Sequence, residues 1–174
     1  MPLYHSSASI LGFLPSLETG STFVLGRKFS STTFWPEVRE SEATVIQYVG
    51  ETCRYLLSAP PQFGPSGENL DKENKVRIAF GNGLRPDVWN KFKERFGIDS
   101  IAEFYSATEA AGIGLNFSQN ELSRGAIGRT GTLIKLFFGA PIVVELDLET
   151  STPTRNAKGF CRKMPAGEPG ELLF

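Results

Sequence analysis

The chain has 174 residues, enough for one domain with a sizeable core, and its 18 basic and 19 acidic residues leave a formal net charge of −1. Because no run of five like charges occurs, the charge pattern does not indicate nucleic-acid binding, and we expect no nucleic-acid partner. Cys53 and Cys161 are far apart and have no histidine cluster near them, which excludes a disulfide framework and a zinc site. We expect no secretory signal at Met1, and the most apolar stretch, 132–146, is too short and too interrupted to span a bilayer.

The N-terminal third alternates between helical and strand-like patterns. We expect helices over 6–17, 33–41 and 51–57, a strand over 44–48 and a short β-rich run over 22–25. Pro15 predicts a kink or stop in the first helix, and Pro36 falls in the first turn of the second. Residues 62–74 are rich in Gly, Pro, Ser and charge, which predicts a surface loop or a weakly ordered excursion.

The middle of the chain carries the best strand pattern, at 76–80. This strand leads through Gly81, Asn82 and Gly83 into a helix that starts near Pro86 and ends at Gly97. The spacing of its aromatic residues predicts one buried helix face, made of Trp89, Phe92 and Phe96. The next strand is expected at 101–104. Strand, helix and strand in this order predict parallel pairing, and such sheets bind ligands beyond the carboxyl ends of their strands.

The last third has short strand-like runs, such as 143–148 and 171–174, between many glycines. The predicted fold class is therefore α/β, with a doubly wound, mostly parallel sheet followed by a smaller β-rich region. We place the first part at residues 1–122 and the second at residues 123–174, and we find no internal repeat.

Polar and aromatic residues follow the strand at 101–104. The Tyr105 ring has the chemistry to stack on a base, the Thr108 hydroxyl to donate to a phosphate oxygen, and the Glu109 carboxylate to bind Mg²⁺. The alternative is a turn with an ordinary helix N-cap.

Four motifs occur in a fixed order along the chain. They are a Pro-Leu-x-His-like motif at 2–5, a glycine-bearing turn at 81–83, a segment close to Tyr-Gly-x-Thr-Glu at 105–109, and a Gly-Glu-Pro-Gly-Glu-Leu motif at 167–172. In this order the chain resembles the adenylate-forming superfamily of AMP-dependent synthetases and ligases. Residues 45–51, 81–86 and 103–105 are similar to its fatty acid transport and very long-chain acyl-CoA synthetase group. Two small residues, Ser106 and Ala110, stand where glycine is commoner.

The resemblance implies a role for each matching position. It places Gly81, Asn82 and Gly83 against adenine, Glu103 by the adenine amino group, and Tyr105 in a stack with the base. It further implies that Thr108 binds the α-phosphate and that Glu109 binds Mg²⁺. His5, the only histidine, is implied at the gate between nucleotide and acyl pocket. The catalytic set is thus Thr108, Glu109 and His5.

For three of the residues a plainer interpretation stays open. His5 is alternatively a packed or surface histidine without a task. Gln47 and Tyr48 either line the acyl pocket or belong to a plain strand.

The resemblance also implies a whole reaction: ATP and a long-chain or very long-chain fatty acid form acyl-AMP, and coenzyme A as co-substrate then takes the acyl group. It further implies that the chain is part of the large N-terminal domain of such an enzyme and that the reaction is coupled to fatty acid uptake. The location it implies is the peroxisome, endoplasmic reticulum, lipid droplet or plasma membrane. We find no phosphate loop, ribose-binding aspartate or catalytic lysine of the mobile domain in the sequence, so we expect an internal piece of a longer protein, with any membrane association in other parts. The alternative is a non-catalytic nucleotide- or lipid-binding remnant.

Overall fold

A four-stranded sheet is the centre of the first part of the molecule, in a computed structural model that describes residues 2–106, 113–128, 131–139 and 141–173. Its strands, in spatial order, are β1 (Val45–Val49), β2 (Ile78–Asn82), β3 (Ser100–Tyr105) and β4 (Gly114–Ser118). The first three strands pair in parallel, as the sequence predicts, while β4 pairs antiparallel with β3. The carboxyl ends of β1, β2 and β3 therefore lie along one edge of the sheet.

Helices surround this sheet. They are α1 (Ser6–Ala8), α2 (Leu14–Thr19), α3 (Phe34–Glu40), α4 (Gly50–Ser58) and α5 (Pro86–Phe96), with a π-helical segment at Ser9–Phe13 and a 3₁₀ turn at Glu121–Ser123. The predicted helix over 6–17 does not stop at Pro15. Pro15 lies in the first turn of α2, where a missing backbone N–H costs little, and the helix runs on to Thr19.

The hydrophobic core lies between one face of the sheet and helices α3, α4 and α5. Alternate strand residues point into it, among them Ile46, Ala79 and Ile101, and the predicted aromatic face of α5 meets them there. Trp35 of α3 stacks on Phe96 with ring centroids 4.4 Å apart. This packing confirms the helix face predicted from the aromatic spacing.

The opposite face of the sheet carries the first helical segment. The Gln47 side chain points to this face, and its Nε2 donates to the carbonyl oxygen of Ser7 at 2.7 Å. Helices therefore lie on both faces, which is the doubly wound arrangement. Leu115 and Phe117 of β4 are exposed.

Two of the strand predictions for this part were inaccurate. Residues 22–25 form no strand, since Val24 and Leu25 are exposed and nothing in the described chain pairs with them. β2 begins at Ile78 and continues to Asn82, two residues later than predicted, because β1 pairs with it as far as Asn82 and β3 as far as Gly81.

The segment 62–74 is the predicted surface loop, and it is anchored rather than weakly ordered. Asp71 accepts from Arg95 Nε at 2.8 Å and from the Gln62 backbone N–H at 3.1 Å. Arg39 donates to the Gln62 side chain and to the Leu70 carbonyl. Buried charge pairing thus fixes a segment whose composition suggested weak order.

The chain divides into two compact units, 1–129 and 130–174. The second unit contains α6 (Thr132–Phe138) and strands β5 (Ile142–Val144), β6 (Leu146–Asp147), β7 (Thr152–Pro153) and β8 (Glu171–Leu173). β5 pairs antiparallel with β8, and β6 with β7, so the predicted β-rich region is present. The run predicted at 143–148 is split at Glu145, which hydrogen-bonds instead to Arg162 and Thr154.

None of the helices in the described residues has the length and apolar character that a bilayer crossing requires.

Candidate functional site

The carboxyl ends of β1, β2 and β3 bring together most of the residues predicted to bind nucleotide. In the sheet register Val49 lies beside Asn82, and Gly81 lies beside Glu103. The turn over 81–84, which includes the last two residues of β2, is therefore held between the end of β1 and the last residues of β3. Parallel sheets bind ligands at this edge.

Gly81 and Gly83 are glycines for different reasons. A methyl group on Gly81 would overlap the Tyr48 carbonyl oxygen and lie 2.6 Å from Cδ2 of the Tyr48 ring. Gly83 has a φ of +76°, which other residues adopt only at a cost, but open space lies where its side chain would be. The first glycine allows close packing below the turn, and the second allows the turn itself and leaves its outer surface clear. Asn82 between them is half-buried.

Glu103 is buried beneath the turn, with 1 % of its surface exposed. Its Oε1 accepts from the Tyr48 hydroxyl at 2.6 Å and from the Leu84 backbone N–H at 3.1 Å. Its Oε2 accepts from the Gly83 backbone N–H at 3.2 Å. The carboxylate thus connects β1 to the turn. Its predicted contact with the adenine amino group stays a prediction.

Burial dominates the electrostatics of this cluster. It raises the pKa of Glu103, and the hydrogen bonds from Tyr48, Leu84 and Gly83 offset part of that rise. Burial also raises the pKa of Tyr48, with a further rise from the nearby Glu103 carboxylate. The pKa of the Cys53 thiol is raised by burial first and by Glu103 second. Tyr48 and Cys53 are consequently neutral at physiological pH, and Tyr48 acts as a hydrogen-bond donor.

Tyr105, at the end of β3, has an accessible ring. It is 44 % exposed, although the preceding β3 residues are buried. An aromatic face left open to solvent at the ligand-binding edge of a parallel sheet is suited to stack on a planar base.

His5 lies at the start of α1 and acts there as a helix cap. Its Nδ1 accepts from the Ser7 backbone N–H at 3.3 Å and lies 2.8 Å from Ser7 Oγ. Ser7 in turn binds Gln47, which faces the side of the sheet opposite Tyr48. His5 therefore has a structural task in the described chain, and its gate role stays a prediction.

Thr108 and Glu109 lie outside the described residues, so the phosphate and Mg²⁺ roles stay predictions. Across the ranges that the structure describes, no group of three or more His, Cys, Asp or Glu side chains is placed to hold a metal ion. A Mg²⁺ ion that is mainly bound by substrate phosphates needs only one or two carboxylates from the protein.

The contact of Tyr48 with Glu103 and the close approach of Gly50 were not identified from the sequence. Tyr48 is buried, and it does more than fill a plain strand because its hydroxyl binds Glu103. Its place in an acyl pocket stays a prediction. A methyl group on Gly50 would overlap the Gly83 carbonyl oxygen. The available signal was a tyrosine that ends the strand predicted over 44–48 and a glycine two residues after it.

Comparisons with known proteins identify the family and the fold. The family model described as "AMP-binding enzyme" matches residues 1–174. The chain is 45 % identical, over 176 residues and 100 % of its length, to the very long-chain fatty acid transport protein of Saccharomyces cerevisiae, and 42 % identical, over 99 % of its length, to human long-chain fatty acid transport protein 6. It spans 25 % and 26 % of these two relatives, about a quarter of their length.

A solved structure shows the same fold. ATP-bound MatB from Rhodopseudomonas palustris superimposes with a TM-score of 0.69 at 18 % identity, over 99 % of this chain and 29 % of that one. The described strands and helices are thus those of a known α/β architecture. With the family model matching from the first residue to the last, the chain belongs to the AMP-binding enzyme family.

Proposed function

We propose that this chain is the nucleotide-binding part of an ATP-dependent long-chain or very long-chain fatty acyl-CoA synthetase. The observation that carries the proposal is the edge of the sheet where Gly83 leaves an open surface, Glu103 fixes the turn from below and the Tyr105 ring is exposed. Adenine is planar and amphipathic, so an exposed ring beside a rigid glycine turn suits it. The fatty acid as substrate rests on the names of the relatives, which are fatty acid transport proteins.

In the proposed reaction the fatty carboxylate attacks the α-phosphate of ATP, which gives acyl-AMP and releases pyrophosphate. Coenzyme A then displaces AMP and takes the acyl group. Gly81, Asn82, Gly83 and Tyr105 would hold the base, and Thr108 would donate to the α-phosphate. Mg²⁺, with Glu109 as its ligand from this chain, would neutralise negative charge on the phosphates.

The test uses purified full-length protein and two separate half-reactions. Fatty-acid-dependent pyrophosphate release measures adenylation, and acyl-CoA formation from synthetic acyl-AMP measures thioester formation. Glu109→Gln keeps the size and removes the charge, so pyrophosphate release should fall by about two or more orders of magnitude. Thioester formation should fall much less, because no pyrophosphate leaves in that step. Glu94→Gln, at an exposed position on α5, is the matched control and should change neither rate.

Two outcomes would contradict the proposal. Equal losses in both half-reactions, or no loss in either, would remove the metal role from Glu109. Wild-type protein that binds ATP and fatty acid but releases no pyrophosphate would identify a non-catalytic binding module instead.

A further inference from the structure

Tyr48 is a buried polar residue to which the proposed reaction gives no task. It is 3 % exposed, on the core face of β1. A tyrosine at such a position must bury its hydroxyl, which is costly unless the hydroxyl finds a strong acceptor. The Glu103 carboxylate supplies that acceptor at 2.6 Å.

We infer that Tyr48 is a positioning residue, which holds the turn over 81–84 in one conformation through the carboxylate of Glu103. The inference deepens the proposed function and rests on it for the identity of the ligand. The bracing itself rests only on contacts within the chain.

The contacts fix the turn from three sides. From below, Glu103 accepts the Gly83 and Leu84 backbone N–H groups, while Tyr48 holds one carboxylate oxygen in place. From the side, the Tyr48 ring packs so closely on Gly81 that no side chain fits there. From the start of α4, Gly50 packs against the carbonyl oxygen of Gly83.

The Tyr48 hydroxyl is one of two donors to Oε1 of Glu103, and the Leu84 backbone N–H is the other. Without the tyrosine, the buried carboxylate would keep only the two backbone donors and would lose the contact that ties it to β1. A carboxylate free to rotate would share its oxygens less well between the Gly83 and Leu84 N–H groups, and these amides would open to solvent more often. An adenine bound against the turn would then meet a surface that is only partly formed.

The experiment is amide hydrogen exchange on the full-length protein without nucleotide, for wild type and Tyr48→Phe. Phenylalanine keeps the ring and removes only the hydroxyl. Exchange of the Gly83 and Leu84 amides should rise by roughly 5- to 10-fold. Tyr55→Phe on neighbouring α4, where the tyrosine is half exposed, is the matched control and should leave this segment unchanged.

Steady-state kinetics separates positioning from general loss of structure. We expect the KM for ATP to rise by roughly 3- to 10-fold in Tyr48→Phe with little change in kcat, since a poorly ordered turn weakens nucleotide binding. Loss of folded protein would instead lower the apparent kcat and leave KM alone.

Unchanged exchange at Gly83 and Leu84 in Tyr48→Phe would overturn the inference and leave the proposed function standing. Faster amide exchange with an unchanged KM for ATP would support the bracing role of Tyr48 and would show that ATP does not bind against the turn over 81–84. If Tyr48→Phe does not fold, Glu103→Gln decides the question. The glutamine amide has a single acceptor oxygen, so it cannot replace both carboxylate oxygens that now accept from the Gly83 and Leu84 N–H groups. Exchange of at least one of these two amides should therefore rise, and wild-type exchange at both would again overturn the inference.

Discussion

The ion pair between Asp71 and Arg95 gives a prediction whose size follows from the structure. The Asp71 side chain is 5 % exposed and that of Arg95 is 20 % exposed, with Nε and Oδ2 2.8 Å apart. Arg95 Nη1 also donates to the Leu57 carbonyl oxygen at 2.6 Å, at the end of α4. Arg95→Met keeps most of the aliphatic stem but removes the charge and every hydrogen bond of the guanidinium, including a longer one to the Leu56 carbonyl oxygen. A carboxylate then stays buried without its partner.

Breaking a buried pair in this way costs about 3–5 kcal/mol. Since about 1.4 kcal/mol is a factor of ten, the population in which the 62–74 loop is open should rise by about two orders of magnitude or more. Trypsin cleavage after Lys72 reports that population when the loop opens and closes faster than it is cut. The assay is therefore limited proteolysis of full-length wild type and Arg95→Met, with the cut site identified by mass spectrometry.

Two further variants make the assay decisive. Glu42→Gln breaks the exposed pair with Lys75, at the end of the same loop, and should change cleavage little because solvent screens such pairs. Asp71→Asn in the Arg95→Met background removes the unpaired charge and should restore part of the protection. Equal cleavage of wild type and Arg95→Met would refute the view that this pair anchors the loop.

Three other predictions concern the site and the isolated chain. Tyr105→Ala should weaken ATP or acyl-AMP binding by roughly 5- to 150-fold, since stacking on a base is worth on the order of 1–3 kcal/mol, and unchanged affinity would place the adenine elsewhere. Burial raises the pKa of Glu103, so its contribution to stability is complete below the ordinary value of 4.5 and is lost as the pH rises through the raised value. Urea titrations at about pH 4 and about pH 8 give the free energy of unfolding of wild type and of Glu103→Gln. The amount by which wild type exceeds the variant should fall from the lower to the higher pH, and a constant difference would contradict the buried carboxylate. The isolated chain should bind a hydrophobic dye, because Leu115, Phe117, Leu133 and Phe137 are exposed, and a sharp thermal transition without dye binding would contradict this.

The sequence was sufficient for the elements that local chemistry specifies. α5 begins at Pro86 and ends at Phe96, before Gly97, because proline suits a first turn and glycine the left-handed cap, and its aromatic spacing marks its buried face. The parallel order of β1, β2 and β3 followed from helices between strands. The motif at 105–109 and its companions were sufficient for the family, because their order along the chain is itself the signal.

Contacts between distant segments could not be read in this way. Strand ends depend on partners, so β2 extended to Asn82 only because Val49 of β1 pairs with it there. Residues 22–25 had strand-like composition but found no partner in the described chain. The composition of 62–74 suggested weak order, while Arg39 and Arg95, both remote in sequence, hold the loop in place.

The site shows the same division between local and tertiary information. The sequence by itself determined the residue types at the edge of the sheet. They are two glycines in a turn, Glu103 near the end of the next strand, and the Tyr105 ring two residues after Glu103. Only the tertiary structure decided that Glu103 turns beneath Gly83, that Tyr48 reaches it across the sheet, and that Gly50 leaves room for the turn. A buried carboxylate takes its partners from whichever donors the packed strands bring within about 3 Å, and donors that far apart in sequence meet only after the sheet has formed.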